Sequence, residues 1–154
     1  MSGAGVDGKG AGGGDGRPSF PRPLPKVEGD AAPFWQALAR GVVAIQRCSA
    51  CRRAVFPPRP FCPRCLGRDV RWEEVDARGR VATFTTVHRP THPWFGGVAP
   101  YVYALVELPC GVRLPTRLVE IAPADVTVGL EVEPRFERVD DAVTLLHFAP
   151  SARG

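Results

Sequence analysis

A chain of 154 residues with a net charge of +4 has room for one ordinary domain or two very small ones. No apolar run is long enough to cross a membrane as a helix, and the Gly-rich N-terminus lacks the apolar core of a signal peptide. Together these predict a cytoplasmic protein with no membrane partner, whose thiols stay reduced and whose clustered cysteines bind metal.

Residues 1–29 are rich in Gly and Pro and poor in apolar side chains. They bury too little surface to offset the entropy of ordering, and are expected to be a disordered tail. Residues 30–41 then read as a short helix, with Pro33 in its first turn and Gly41 just past its end. Phe34, Trp35 and Leu38 share one side of it. That apolar face needs a cover, which either the chain's own domain or a partner could supply.

Residues 42–75 hold two Cys-x-x-Cys pairs, Cys48–Cys51 and Cys62–Cys65, with ten residues between them. Each pair forms a tight knuckle that turns two sulfurs toward a common point, and two knuckles supply four thiolates to one tetrahedral ion. Four protein ligands leave no open position for water, so the site reads as structural zinc. Iron in a rubredoxin-like centre satisfies the same spacing. Phe56, Phe61 and Leu66 are expected to pack around the metal, and Trp72 to cover the site or the junction beyond it. A ribbon this small should fold only with its metal. Its charge stands apart from the rest. Residues 31–71 carry eight Arg against Asp69 alone, a net +7, whereas residues 72–154 sum to −3. Such an excess either compensates the thiolates or forms a surface for phosphates or an acidic partner.

Residues 76–150 alternate as β-strands separated by turns. Strands are expected at Arg80–His88, Tyr101–Leu108, Val112–Ile121, Leu130–Glu137 and Val143–Phe148. A hairpin turn falls at Pro109–Gly111, and Pro115 marks an edge or a bulge. Five strands with a small connection after the third suit a mainly β chain ending in a five-stranded OB-fold barrel. An SH3-like barrel or open meander is the alternative. The loop from His88 to Pro100 is long for a hairpin and concentrates His88, Arg89, His92, Trp94 and Phe95, as functional loops do. Its aromatics could also simply plug the barrel mouth.

The order of these features resembles a known family. It runs from the Phe34-Trp35 helix through Cys48-x-x-Cys51, Phe56-Pro-Pro-Arg-Pro-Phe61 and Cys62-Pro-x-Cys65 to Gly79-Arg-Val81. Val87-His88-Arg89-Pro90, Tyr101-Val-x-Ala104-Leu-Val-Glu107-Leu108 and Phe136-Glu-x-Val139-Asp-Asp141 complete it. Over residues 31–150 the chain resembles the rubredoxin-like zinc-ribbon plus OB-fold proteins associated with acyl-CoA metabolism, a domain-of-unknown-function family. The resemblance implies an accessory subunit of a thiolase-superfamily enzyme, whether acyltransferase, synthase or the aldolase of steroid side-chain breakdown. It implies that Phe34, Trp35, Leu38 and the ribbon dock the enzyme. It further implies that the barrel lies near the acyl-CoA route, which makes His88, Arg89, Trp94, Phe95 and Tyr101 the candidates to contact acyl-CoA or the partner. Some relatives carry a hydratase-like domain, for which 154 residues leave no room.

An activity of its own is not expected. Nucleophilic catalysis needs a nucleophile, a base beside it and an orienting group. Cys110 is a lone thiol in a predicted turn, and His88, His92 and His147 are scattered. The competing class is single-stranded nucleic-acid binding, which both zinc ribbons and OB-folds serve. The acidic barrel half argues against it, because a phosphate backbone would have to cross that face.

Overall fold

The computed structural model describes residues 21–152. Of the segment expected to be disordered, residues 1–20 lie outside the described residues. Pro21–Glu28 form a strap without helix or strand, but Arg22 ties it to the barrel through an ion pair with Glu137. Composition misses this, because a bidentate, partly buried ion pair anchors the strap despite its local poverty in apolar side chains.

After a single 3₁₀ turn at Gly29–Ala31, helix α1 spans Ala32–Ala39. Pro33 sits in its first turn, where a missing N–H costs nothing. Gly41 ends it with φ +76, a left-handed conformation, and its N–H closes on the Leu38 carbonyl at 2.9 Å. Phe34, Ala37 and Leu38 are buried and Trp35 is half-buried.

Strand β1 (Val43–Cys48) joins the ribbon to the rest of the chain. It pairs antiparallel with the two-residue β2 (Ala54–Val55) on one side. On the other it meets β3 (Val70–Val75) from Val43↔Val75 to Cys48↔Val70. Five further strands close a barrel: β4 (Gly79–Val87), β5 (Tyr101–Glu107), β6 (Arg113–Leu118), β7 (Glu131–Arg138) and β8 (Thr144–Pro150). Their order is β4-β5-β6-β8-β7, with β7 returning to β4. The β6 and β8 strands run parallel and touch at one register pair, Leu118↔Phe148. This closed five-stranded order is the expected OB-fold.

One hydrophobic core runs through both halves. Phe34 and Leu38 of α1 and Val43 and Ile45 of β1 pack with Val102, Val106, Val132 and Phe148 of the barrel. Each such side chain contributes about 1.5–3 kcal/mol when fully buried. The ribbon and barrel predicted as 42–75 and 76–150 are therefore distinct in strand pairing but continuous in packing. The helix face is covered by the chain itself. A second, much smaller cluster holds Cys48, Val55 and Cys62.

Two local expectations change. Phe61 is 42% and Leu66 70% exposed, so neither packs around the metal site. Leu66 adopts φ 60 to close its knuckle, which leaves its side chain in solvent. Phe56 instead meets Phe34, ring centroids 5.6 Å apart, and Trp72 packs at the junction with the main core. The strand expected over 112–121 stops at Leu118, since Glu120 turns left-handed at φ 57. Pro115 lies where β6 is almost unpaired toward β8, so its missing N–H breaks no bond on that flank.

Candidate functional site

The four cysteines converge. All four sulfurs lie within 4.8 Å of one another, with Cys48–Cys65 and Cys51–Cys62 each at 3.6 Å. A tetrahedral ion with Zn–S bonds of about 2.3 Å requires sulfur–sulfur edges of about 3.8 Å. The separations fit. Backbone geometry builds each knuckle: the Arg52 N–H donates to the Cys48 carbonyl and the Leu66 N–H to the Cys62 carbonyl, both at 2.9 Å. Arg52 and Leu66 both take left-handed φ values, 61 and 60. Gly67 follows because a Cβ there would lie 3.3 Å from the Cys65 sulfur and 3.5 Å from that of Cys48.

The knuckles also prepare charge. N–H groups of Cys65 and Arg64 pull the Cys62 thiol down to about 7, and that of Cys51 pulls Cys48 down. Cys65 goes the other way. The Gly67 N–H lowers it, but the neighbouring thiols of Cys48 and Cys51 outweigh that pull and push it up to about 11. Four crowded thiols cannot all ionise alone; a divalent cation removes the conflict. The donor set fits zinc, with every ligand supplied by the chain.

Around the knuckles the surface is basic. Arg40, Arg47 and Arg71 pair with Glu74, Glu73 and Asp69. Arg52, Arg53, Arg59, Arg64 and Arg68 are exposed, and no carboxylate meets them among the described residues. Phe61 and Leu66 stand exposed in the same stretch.

A cavity of about 420 Å³ lies between α1, the inter-knuckle loop and the barrel. Phe34, Trp35, Phe56, Phe95, Tyr101 and Leu146 give it a mainly apolar wall. It opens where β6 and β8 are splayed, the gap that Pro115 helps keep unzipped. The long loop reaches it through the short helix α2 (Pro93–Gly96), capped by His92 Nδ1 accepting from the Trp94 N–H at 3.2 Å. Phe95 packs on Tyr101 with centroids 5.7 Å apart. Arg22 lies 4.6 Å over the Trp94 ring.

The predicted site residues thus separate into three groups. Phe95 and Tyr101 line the cavity, while Trp94 touches it only through Arg22. His88 and Arg89 are exposed and away from its lining. Phe34 (7% exposed) and Leu38 (1%) are held in the chain's own core, which leaves only the half-buried Trp35 of the helix trio for a partner to touch. Sequence reasoning missed Arg22, Glu137 and His147, three polar residues from separate segments. No spacing motif links them; the barrel brings them together. Cys110 remains a half-buried turn thiol beside Gly111 (φ +85).

Comparison with known proteins agrees with this geometry. Residues 35–71 match the model of the ChsH2 rubredoxin-like zinc ribbon domain, and residues 72–137 that of the ChsH2 C-terminal OB-fold domain. A "Probable enoyl-CoA hydratase alpha subunit" of Thermomonospora curvata is 39% identical over 88% of this chain, which spans only 42% of that relative's length. A "DUF35 domain-containing scaffold protein" of Methanocaldococcus jannaschii is 37% identical over 62% of this chain and 67% of its own. The solved structure titled "Ltp2-ChsH2(DUF35) aldolase" superposes with a TM-score of 0.73 and 38% identity, covering 82% of this chain and 98% of that one. A four-thiolate knuckle pair sharing its core with a closed five-stranded barrel, matched in both halves, places the chain in the DUF35 family of ChsH2-type zinc-ribbon plus OB-fold proteins.

Proposed function

We propose that the chain is a non-catalytic accessory subunit of an acyl-CoA-processing enzyme of the thiolase superfamily. The observation that carries this reading is the ribbon surface. Five exposed arginines that meet no carboxylate among the described residues flank two exposed apolar side chains, Phe61 and Leu66, on a scaffold built around the four-cysteine site. Apolar anchors inside a charged rim are the anatomy of a docking surface, and the unpaired arginines select an acidic one. Names such as scaffold protein and alpha subunit among relatives support it, and the solved relative's title favours an aldolase among the possible reactions. The loop from His88 to Pro100 would then lie along the acyl-CoA route. There the exposed Arg89 offers a guanidinium fork to a CoA phosphate. Bound in this way, the subunit positions substrate rather than making bonds.

Co-purification from the native host tests the reading. The expected companion is a thiolase-like enzyme. Replacing Arg52, Arg53 and Arg64 together by Glu should weaken the complex at least tenfold. Leu66→Asn, which tolerates the left-handed backbone, should weaken it without lowering the melting temperature. Arg89→Ala should lower acyl-CoA affinity of the complex. Recovery of a chain without any thiolase-like companion would overturn the proposal. So would micromolar binding of single-stranded DNA with a steep salt slope.

A further inference from the structure

The cavity beside α1 carries charge of one sign. Its walls are mostly aromatic and aliphatic, and two arginines, Arg22 and Arg117, line it without any Asp or Glu. Arg22 is already neutralised. It donates to both oxygens of Glu137, at 2.6 and 3.0 Å, and lies 4.6 Å over the Trp94 ring. Arg117 keeps its charge free. On either side of it, Glu107 is held by Arg113 at 2.7 Å and Glu120 by Arg135 at 3.0 Å. No carboxylate pairs with Arg117 among the described residues. The cavity lining therefore has one net positive charge, on Arg117.

Strand register sets the direction of that charge. Leu114, Thr116 and Leu118 of β6 are buried in the barrel, so Arg113, Pro115 and Arg117 face outward. Across the ladder Arg117 pairs with Tyr103 of β5, which is 45% exposed and lines the same cavity. Directly opposed residues project from one face of a sheet, so guanidinium and phenol stand side by side. Arg117 is only half-buried and keeps surface that a ligand can reach. A guanidinium offers a rigid donor fork that a carboxylate fills with two hydrogen bonds. One unneutralised positive charge matches a monoanion better than a phosphate monoester of about −1.5 to −2. The volume of about 420 Å³ falls in the range of small-molecule pockets.

We propose that this cavity binds a small amphiphile with an apolar body and a single carboxylate. The body lies against Trp35, Phe95 and Leu146, and the carboxylate meets the Arg117 guanidinium beside Tyr103. Glu137 contributes indirectly. By neutralising Arg22 it holds the strap at the cavity rim and leaves Arg117 as the one cation for the ligand. Neither Arg89 nor the exposed arginines of the ribbon line this cavity, so the site stands apart from the docking surface.

The test uses the full zinc-loaded chain alone, so its outcome is independent of whether the docking reading holds. Calorimetry compares octanoate, 1-octanol and octyl phosphate, whose apolar chains are similar and whose heads differ. Octanoate should bind about tenfold more tightly than 1-octanol, because a charge-assisted pair is added to the same apolar burial. Arg117→Gln should shrink that margin to about twofold or less while leaving 1-octanol unchanged. Arg113→Gln, on the same outward face but outside the cavity, should leave every ligand unchanged. Methyl resonances of Leu145 and Leu146 should shift as octanoate binds. Octanoate bound no better than 1-octanol, or equally well by Arg117→Gln, would overturn the proposal. The absence of saturable octanoate binding would do the same. Tighter Arg117-dependent binding of octyl phosphate would overturn the choice of a carboxylate head.

Discussion

At Gly79, the first residue of β4, a Cβ would sit 2.6 Å from the Glu107 carbonyl oxygen and 2.7 Å from Val106 Cγ1. Both obstacles belong to the backbone or core of β5, and Gly79 also pairs with Val132 of β7 where the barrel closes. Neither neighbour can yield without opening the seam. Gly79→Ala should therefore destabilise the chain by about 1–3 kcal/mol, as overpacking does, read as a lower denaturant midpoint. An unchanged midpoint would show that the seam is loose. Arg52 and Leu66 illustrate the opposite case. Their left-handed backbones cost about 1–2 kcal/mol each, and closing a knuckle on four thiolates offsets that strain.

Glu137 of β7 links Arg22 of the strap to His147 of β8, and this contact makes stability depend on pH. His147 is held below its ordinary value of 6.5, chiefly by burial, and Glu137 below 4.5, chiefly by Arg22. Both values are depressed by folding, so the unfolded chain binds more protons at acid pH. The stabilisation is present above about 6.5 and declines on acidification, first through His147 and then through Glu137 toward about 2. Charges acting on the ring come from three elements: Arg22 on the strap, Arg117 on β6 and Glu137 on β7. The melting temperature of the zinc-loaded protein should fall from about pH 7 to about pH 5, and His147→Phe should flatten that slope. Thiolate protonation affects both proteins alike, so their difference isolates the histidine. Parallel slopes would count against this assignment.

Over the whole molecule, two unequal cores predict two responses to metal removal. The large core joins α1, β1 and the barrel, while the small one holds only Cys48, Val55 and Cys62 with Cys51 and Val70 against it. Structural zinc binding is worth on the order of 10 kcal/mol to such a site, far more than the small cluster can replace. A strong chelator under reducing conditions should abolish amide protection across residues 48–69 while amides of β4–β8 remain protected. Partner binding should be lost with the ribbon. Global loss of protection would mean that the barrel depends on the metal as well.

Much of this organisation was legible in residue order. Cys48, Cys51, Cys62 and Cys65 announce a metal site because tetrahedral ligation needs short spacings that survive in sequence. Alternation through Val102, Ala104, Val106 and Leu108 announces a barrel wall, and Pro33 and Gly41 bracket the helix, because each is a local constraint. What covers the helix is not local: Phe34 and Leu38 were equally ready for a partner, and only folding delivered the barrel to them. Phe61 and Leu66 looked like metal packing until backbone closure of the knuckle left them in solvent. Arg22, Glu137 and His147 carry no mutual signal, since an ion pair spanning 115 positions leaves no periodicity. Sequence alone determined the thiolates, the strands and the charged ribbon. Tertiary structure decided which apolar faces remain free and joined Arg22, Glu137 and His147 from separate segments, because burial and long-range pairing exist only once the chain has closed on itself.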